Sequence, residues 1–163
     1  RAQYLDRVLK LREAIPGIGL STDIIVGFPG ETEEQFEDTM SLVNEVRYDS
    51  AFTFIYSPMT GTRAAEMPDM LKEEIATERI KRLIALQEEL QKDTLQRFVG
   101  KEEEILVEGL SRRSDKAVSG KGKHAVSITV DGSEEDIGKI LKCRITGLKN
   151  NTLTGERISE MRY

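Results

Sequence analysis

Two periodicities divide the 163 residues. Up to about Arg97, apolar positions recur mostly at helical spacing, and after Phe98-Val99-Gly100 they alternate. Residues 2–15 put Tyr4, Val8, Leu11 and Ile15 on one helical face, with Leu5 and Leu9 beside them, until Pro16-Gly17 stops the helix. The run from Asp23 to Phe28 predicts a strand. Its centre, Ile24-Ile25-Val26, is apolar on both faces, the pattern of a strand buried in a parallel sheet. Thr32 and Gln35 predict a capping box for the next helix, with Glu33 and Glu34 at its positive end and Phe36, Met40 and Val43 as its buried stripe. Residues 51–56 (AFTFIY) read as a second strand and 57–68 as a loop. A long helix follows from about Met70 to Arg97, with Ala76, Ile80, Leu83, Ile84 and Leu90 inward and the pairs Glu78–Arg82 and Glu88–Lys92 outward.

The order α-β-α-β-α predicts parallel strands joined by crossover helices. Two strands are too few for a stable open sheet or barrel, so further strands are expected upstream and the chain reads as part of a longer protein. Beyond Gly100, residues 103–108, 126–130, 139–146 and 152–158 read as short strands, with turn chemistry at Asp131-Gly132 and Asn150-Asn151. Leu141, Cys143 and Ile145 alternate with Lys142, Arg144 and Thr146. The fold expected is α/β followed by all-β, the second part a small antiparallel barrel of the oligonucleotide-binding kind. The domains divide at 1–95 and 96–163.

Composition narrows the chemistry. No apolar run approaches the roughly 20 residues a membrane helix needs, and no signal peptide is visible. One cysteine, Cys143, and one histidine, His124, cannot form a disulfide or hold a cluster or structural zinc. A reducing, cytoplasmic setting is the default. Cys143 reads as a small buried hydrophobe and His124 as a surface loop residue. The net charge of −5 is uneven: residues 1–97 carry 12 Lys/Arg against 18 Asp/Glu, and residues 98–163 carry 12 against 11. Arg112, Arg113, Lys116, Lys121 and Lys123 cluster in the second part, where they can meet nucleic-acid phosphates or form an ordinary solvated face. Aromatic stacking platforms are nearly absent there, so backbone contact is expected rather than base stacking.

The stretch STDIIVGFPGET (21–32) carries the second candidate site. Ser21 and Asp23 are polar in an apolar strand, and a buried Asp needs a partner. Gly27 lets backbone approach a ligand and Gly30 permits the turn. On spacing alone the favoured reading is an ordinary strand-to-helix turn, with Asp23 satisfied by backbone donors. The stretch resembles the radical S-adenosylmethionine methylthiotransferases, in the part that follows their iron–sulfur motif, which this sequence does not contain. FIYSPMTGTRAA (54–65) is similar to their next strand and loop, with Met59 where the family often has Arg. ILVEGLSRRS (105–114) and IGKILKCRITGLKNNTLTGE (137–156) resemble their terminal RNA-binding TRAM domain. Within GKGKHAVSITV (120–130), Gly122, Ala125 and Val130 stand where the family has Thr, Asn and Phe.

The resemblance implies that residues 1–95 are the last portion of a radical S-adenosylmethionine barrel of partial TIM type. Ser21, Asp23, Gly27, Phe54 and Tyr56 would line the adenosyl pocket. Arg112, Arg113, Lys116, Lys121 and Lys123 would touch the tRNA anticodon stem-loop. Two 4Fe–4S clusters would belong to the full-length enzyme, their ligands on N-terminal domains missing here, so this chain alone would be inactive. The motif VEGLSRRS favours the member that adds a methylthio group to isopentenyl-adenosine beside the anticodon. Sister enzymes acting on threonylcarbamoyl-adenosine or on a ribosomal protein, and a stand-alone RNA-binding adaptor, are the alternatives.

Overall fold

A computed structural model describes residues 1–112 and 114–158. The chain forms two compact units, Arg1–Gln91 and Lys92–Tyr163. The first unit opens with α1 (Ala2–Ala14), β1 (Ser21–Val26), α2 (Glu33–Val46) and β2 (Ser50–Ile55). A 3₁₀ turn (Arg63–Glu66) follows in the loop read from sequence, and then α3 (Glu73–Gln96), whose last turn falls in the second unit.

The capping box forms: the Thr32 side chain accepts from the Gln35 amide at 3.2 Å, and the Gln35 side chain accepts from the Thr32 amide at 3.1 Å. The helix it starts, α2, ends at Arg47, which takes the left-handed φ of 53°. β1 and β2 pair in parallel, as the intervening helix requires, with Asp23 opposite Phe52 and Ile25 opposite Phe54. Val8, Val26, Phe36, Val43, Val46, Tyr48, Leu83 and Leu90 make the core. Each fully buried large side chain contributes about 1.5–3 kcal/mol of transfer free energy. The Tyr48 hydroxyl shares a 2.6 Å hydrogen bond with Tyr4, and burial drives its pKa well above the usual phenol value.

Several expectations for this unit fail. Of the α1 stripe only Val8 is buried; Tyr4, Leu11 and Ile15 are exposed. On α3, Ile84 is likewise exposed. The strand β1 is buried on one face only: Ile25 is 55% exposed, because among the described residues only β2 joins its sheet and nothing covers that side. For the same reason Asp23 is exposed, not a buried acid in need of a partner.

The second unit is a closed barrel of β3 (Glu102–Ser111), β4 (Ser114–Gly122), β5 (Ser127–Asp131), β6 (Ile140–Lys149) and β7 (Thr152–Arg157), ordered β3-β4-β5-β7-β6. It is not wholly antiparallel. β5 and β7 run parallel, because β6 is inserted between them in sequence and pairs with β7 as a hairpin. Asn150 and Asn151 make that hairpin turn with φ of 49° and 56°. Ile105, Val107, Val118, Ile128, Val130, Leu141, Cys143, Ile145 and Leu153 fill the barrel, and Leu95 and Phe98 pack against them. β4 covers residues for which the sequence reading gives no strand.

Candidate functional site

The structure builds two candidate surfaces, one in each unit. In the first, the register of β1 and β2 sets Ser21, Asp23 and Ile25 on the same sheet face as Phe52 and Phe54. Ser21 and Asp23 are exposed, and Phe52 and Phe54 are 60% and 53% exposed. A flat apolar group can lie over Ile25 and Phe54 while Ser21 and Asp23 accept hydrogen bonds from its hydroxyls. At the carboxyl end of the sheet the Tyr56 amide donates to the Val26 carbonyl at 2.8 Å, and the Tyr56 ring meets Phe28 edge-on at 5.2 Å. The Tyr56 hydroxyl oxygen is buried and has no hydrogen-bond partner among the described residues. Ser21, Asp23 and Phe54 thus share one open face, and Tyr56, just beyond β2, stands at the sheet's carboxyl end with its hydroxyl buried.

Gly27 differs from its sequence reading. Its φ is +74°, and a Cβ there would lie 2.9 Å from the Ala76 Cβ. The close approach the glycine permits here is to α3. Its amide donates to the Glu31 carboxylate at 2.7 Å, and the same carboxylate oxygen accepts from Arg79 Nη1 at 2.7 Å. Arg79, 4% exposed, also donates to the Glu31 carbonyl at 3.0 Å and through Nε to Glu33 at 3.2 Å. Arg82 pairs with Glu33 at 2.6 Å and with Glu37, and both guanidinium groups lie over the Phe36 ring. The hydrogen bond from Arg82, with smaller help from Arg79, holds the Glu33 carboxyl below its ordinary range. Glu31 and Arg79 escape sequence reading because charges on a turn and on a helix look like solvated surface.

On the barrel, Arg112 lies in the β3–β4 turn and Lys116 on the first part of β4, both exposed. Arg113 lies outside the described residues. Lys121 stands near the far end of β4, about 17 Å from Lys116 at the strand's rise per residue, and Lys123 lies in the turn just beyond it. The sequence cluster is therefore spread along a strand. Lys121 donates to the Ser127 hydroxyl at 2.8 Å, and Lys123 pairs with Glu104 at 3.8 Å. Glu102, Glu103, Glu104, Lys123, His124 and Lys142 line a shallow depression. Lys142 joins Lys123 there through the β3–β6 pairing, which sets Lys142 opposite Glu104. The sequence hides this neighbour, because the two lysines lie 19 positions apart along the chain.

His124 is half-buried with its ring 5.3 Å from that of Phe98, not a free surface residue. Phe98 is itself buried and offers no stacking platform. Cys143 is fully buried in the barrel, as its alternation predicts, and burial raises its thiol pKa. Among the described residues, no group of three or more His, Cys, Asp or Glu side chains is placed to hold a metal ion. None of the described helices is long and apolar enough to cross a membrane.

Residues 96–158, which include the barrel, match the TRAM domain family. The chain as a whole is 47% identical over 160 residues to the tRNA-2-methylthio-N(6)-dimethylallyladenosine synthase of Anoxybacillus flavithermus, which takes in 98% of this chain and 30% of that protein. The protein of the same name from Clostridium botulinum (strain Alaska E43) is 44% identical over 160 residues, 98% of this chain and 35% of its own length. That from Carboxydothermus hydrogenoformans is 47% identical over 146 residues, 90% of this chain and 33% of its own. The chain thus spans about a third of the length of the curated relatives it matches. The resemblance to the methylthiotransferases read from residues 21–32, 54–65 and the strand-rich tail is borne out by these matches.

Proposed function

We propose that this chain serves a tRNA methylthiotransferase that acts on isopentenyl-adenosine beside the anticodon, as part of a longer polypeptide. The observation that carries the reading is the similarity over 98% of the chain, across both the α/β unit and the TRAM barrel, to synthases of that name. In this reading residues 1–95 are the last portion of a radical S-adenosylmethionine barrel, and 96–163 the RNA-binding domain.

The open face of β1 and β2 supports the cofactor assignment. Ile25 and Phe54 offer an apolar bed for a purine, Asp23 and Ser21 offer acceptors for ribose hydroxyls, and the unpartnered Tyr56 hydroxyl marks a further polar group near that edge. When bound, S-adenosylmethionine at a reduced iron–sulfur cluster supplies the radical that activates the adenine ring. Cys143 is enclosed in the barrel core and cannot serve a cluster, so the cluster ligands are assigned to sequence outside this chain. The residues here bind, orient and shield: Gly27 and Tyr56 fix the sheet's carboxyl edge, and Ile25 and Phe54 exclude water from one side of the bound group.

Arg112, Arg113, Lys116, Lys121 and Lys123 are assigned to tRNA phosphates. The Lys123–Glu104 pair does not oppose this, since both side chains are largely exposed and such pairs are worth about 0–1 kcal/mol. Replacing Lys121 and Lys123 together by Ala tests the contact. In the full-length protein the double variant is expected to weaken tRNA binding and to flatten its salt dependence by about 2 in the log–log slope. Unchanged affinity and slope would remove these lysines from the interface.

A further inference from the structure

We propose that Arg79 is a positioning residue for the cofactor-bearing edge of β1, acting through Glu31 on the amide of Gly27. The inference rests on the reading that this edge holds S-adenosylmethionine. A guanidinium that is 4% exposed, on a helix, directs its donors to one short turn 46 to 48 residues earlier in the chain. It reaches the Glu31 carbonyl, the Glu31 carboxylate and the Glu33 carboxylate. The Glu31 oxygen that receives Arg79 also receives the Gly27 N–H, so the charge pair and the turn share one atom. That turn leaves β1 directly, passes through Gly27 and Gly30 at φ of +74° and +78°, and is closed by the Gly30 amide on the Asp69 carbonyl at 2.9 Å.

Two glycines in the left-handed region give the turn conformational freedom. The Arg79–Glu31 bridge removes it. A buried ion pair is weak evidence for stability, since apolar residues of the same volume often serve as well. Its use here is geometric: Nη1 donates to both the carbonyl and the carboxylate of Glu31 while Nε of the same rigid plane reaches Glu33, a spread of donors that a lysine ammonium cannot reproduce. With the guanidinium gone, a carboxylate that is 12% exposed loses its counter-charge and turns toward water, and the Gly27 amide loses its acceptor. The peptide that ends β1 then no longer has one position.

The test uses Arg79→Met, Arg79→Lys, the double variant Arg79→Met/Glu31→Gln, and Arg82→Met as the control that removes neighbouring charge from Glu33 without touching Glu31. Amide hydrogen exchange at Gly27 is read in this chain, and S-adenosylmethionine affinity by calorimetry in the full-length, cluster-loaded protein. Arg79→Met is expected to speed Gly27 exchange and to weaken S-adenosylmethionine binding, each about tenfold, the scale of a lost supporting shell around a ligand site. Arg79→Lys is expected to fall between, and Arg82→Met to match the wild type. The double variant is expected to recover part of both losses, because the amide oxygen introduced by Glu31→Gln still accepts from Gly27 with no buried charge left over. Wild-type exchange in Arg79→Met, equal losses in Arg82→Met, or no recovery in the double variant would overturn the proposal. If the wild-type protein itself bound no S-adenosylmethionine, the cofactor reading would fall, while Gly27 exchange would still decide whether Arg79 holds the turn.

Discussion

Replacing Gly120 by Ala probes how the barrel closes. Gly120 sits on β4 opposite Val107, next to a register shift on β3 between Val107 and Gly109. A Cβ at this position would lie 2.7 Å from the Leu106 carbonyl carbon and nearer still to its oxygen. The obstacle is backbone, so no rotamer change relieves it, and β3 is held on its other side by pairing with β6. Overpacking of this kind costs about 1–3 kcal/mol, and a backbone wall puts it at about 3. The Ala side chain returns about 0.4–1 kcal/mol by restricting the unfolded chain. A net loss of about 2 kcal/mol lowers the melting temperature of a domain this size by roughly 8–16 °C. Amide exchange at Val107, Val118 and Ile145 reports the barrel separately from the first unit. Gly109→Ala is the matched control: nothing lies within 4 Å of its Cβ, so it keeps only the unfolded-chain gain of about 0.4–1 kcal/mol. Barrel protection in Gly120→Ala equal to that of Gly109→Ala would refute the claim that backbone contact sets the β3–β4 crossing.

Other consequences follow from single residues. Ala125 holds φ of 56° in the β4–β5 turn, where the methylthiotransferases it resembles often have Asn. Ala125→Gly is therefore expected to stabilise the barrel by about 0.5–1 kcal/mol in urea unfolding, and a loss of stability would contradict the strain. Thr32→Ala removes one half of the capping box and is expected to cost about 1 kcal/mol by the same assay, with tRNA binding unchanged. The Ser133 amide, aided by Arg157, holds the Asp136 carboxyl below its ordinary value of 3.8. A carboxyl depressed in the folded state contributes stability that is present above that value and lost as pH falls through the folded one. Barrel stability is thus expected to drop in acid below about pH 4. Asp136→Asn should weaken the barrel at neutral pH and shrink that acid-induced loss; an identical acid profile in the variant would exclude Asp136 as its source.

What the chain's pattern reveals depends on whether local chemistry decides the outcome. The capping box at Thr32 and Gln35, the parallel pairing across a crossover helix and the burial of Cys143 are legible because each needs only neighbouring residues or strict alternation. The strand β4 is not legible. Ala117 and Val118 are adjacent yet both buried, register shifts break the alternation of the β3–β4 ladder, and Gly120 and Gly122 carry no side chain to mark a face. The open face of Ile25, Phe52 and Phe54 looks buried in the sequence because an apolar run says nothing about which neighbours are present to cover it. The Arg79–Glu31 bridge joins residues 48 apart, and only the docking of α3 on the turn brings them together. The basic residues form one cluster along the chain, but β4 spreads them over both ends of a strand, while the β3–β6 pairing brings Lys142 to Lys123.

Nucleoside mass spectrometry of total tRNA from cells lacking the gene that encodes this chain tests the central claim most directly. Loss of methylthiolated isopentenyl-adenosine, accumulation of isopentenyl-adenosine and restoration of the modified nucleoside by the intact gene are the expected result. Methylthiolated isopentenyl-adenosine at its wild-type level in those cells would contradict the assignment.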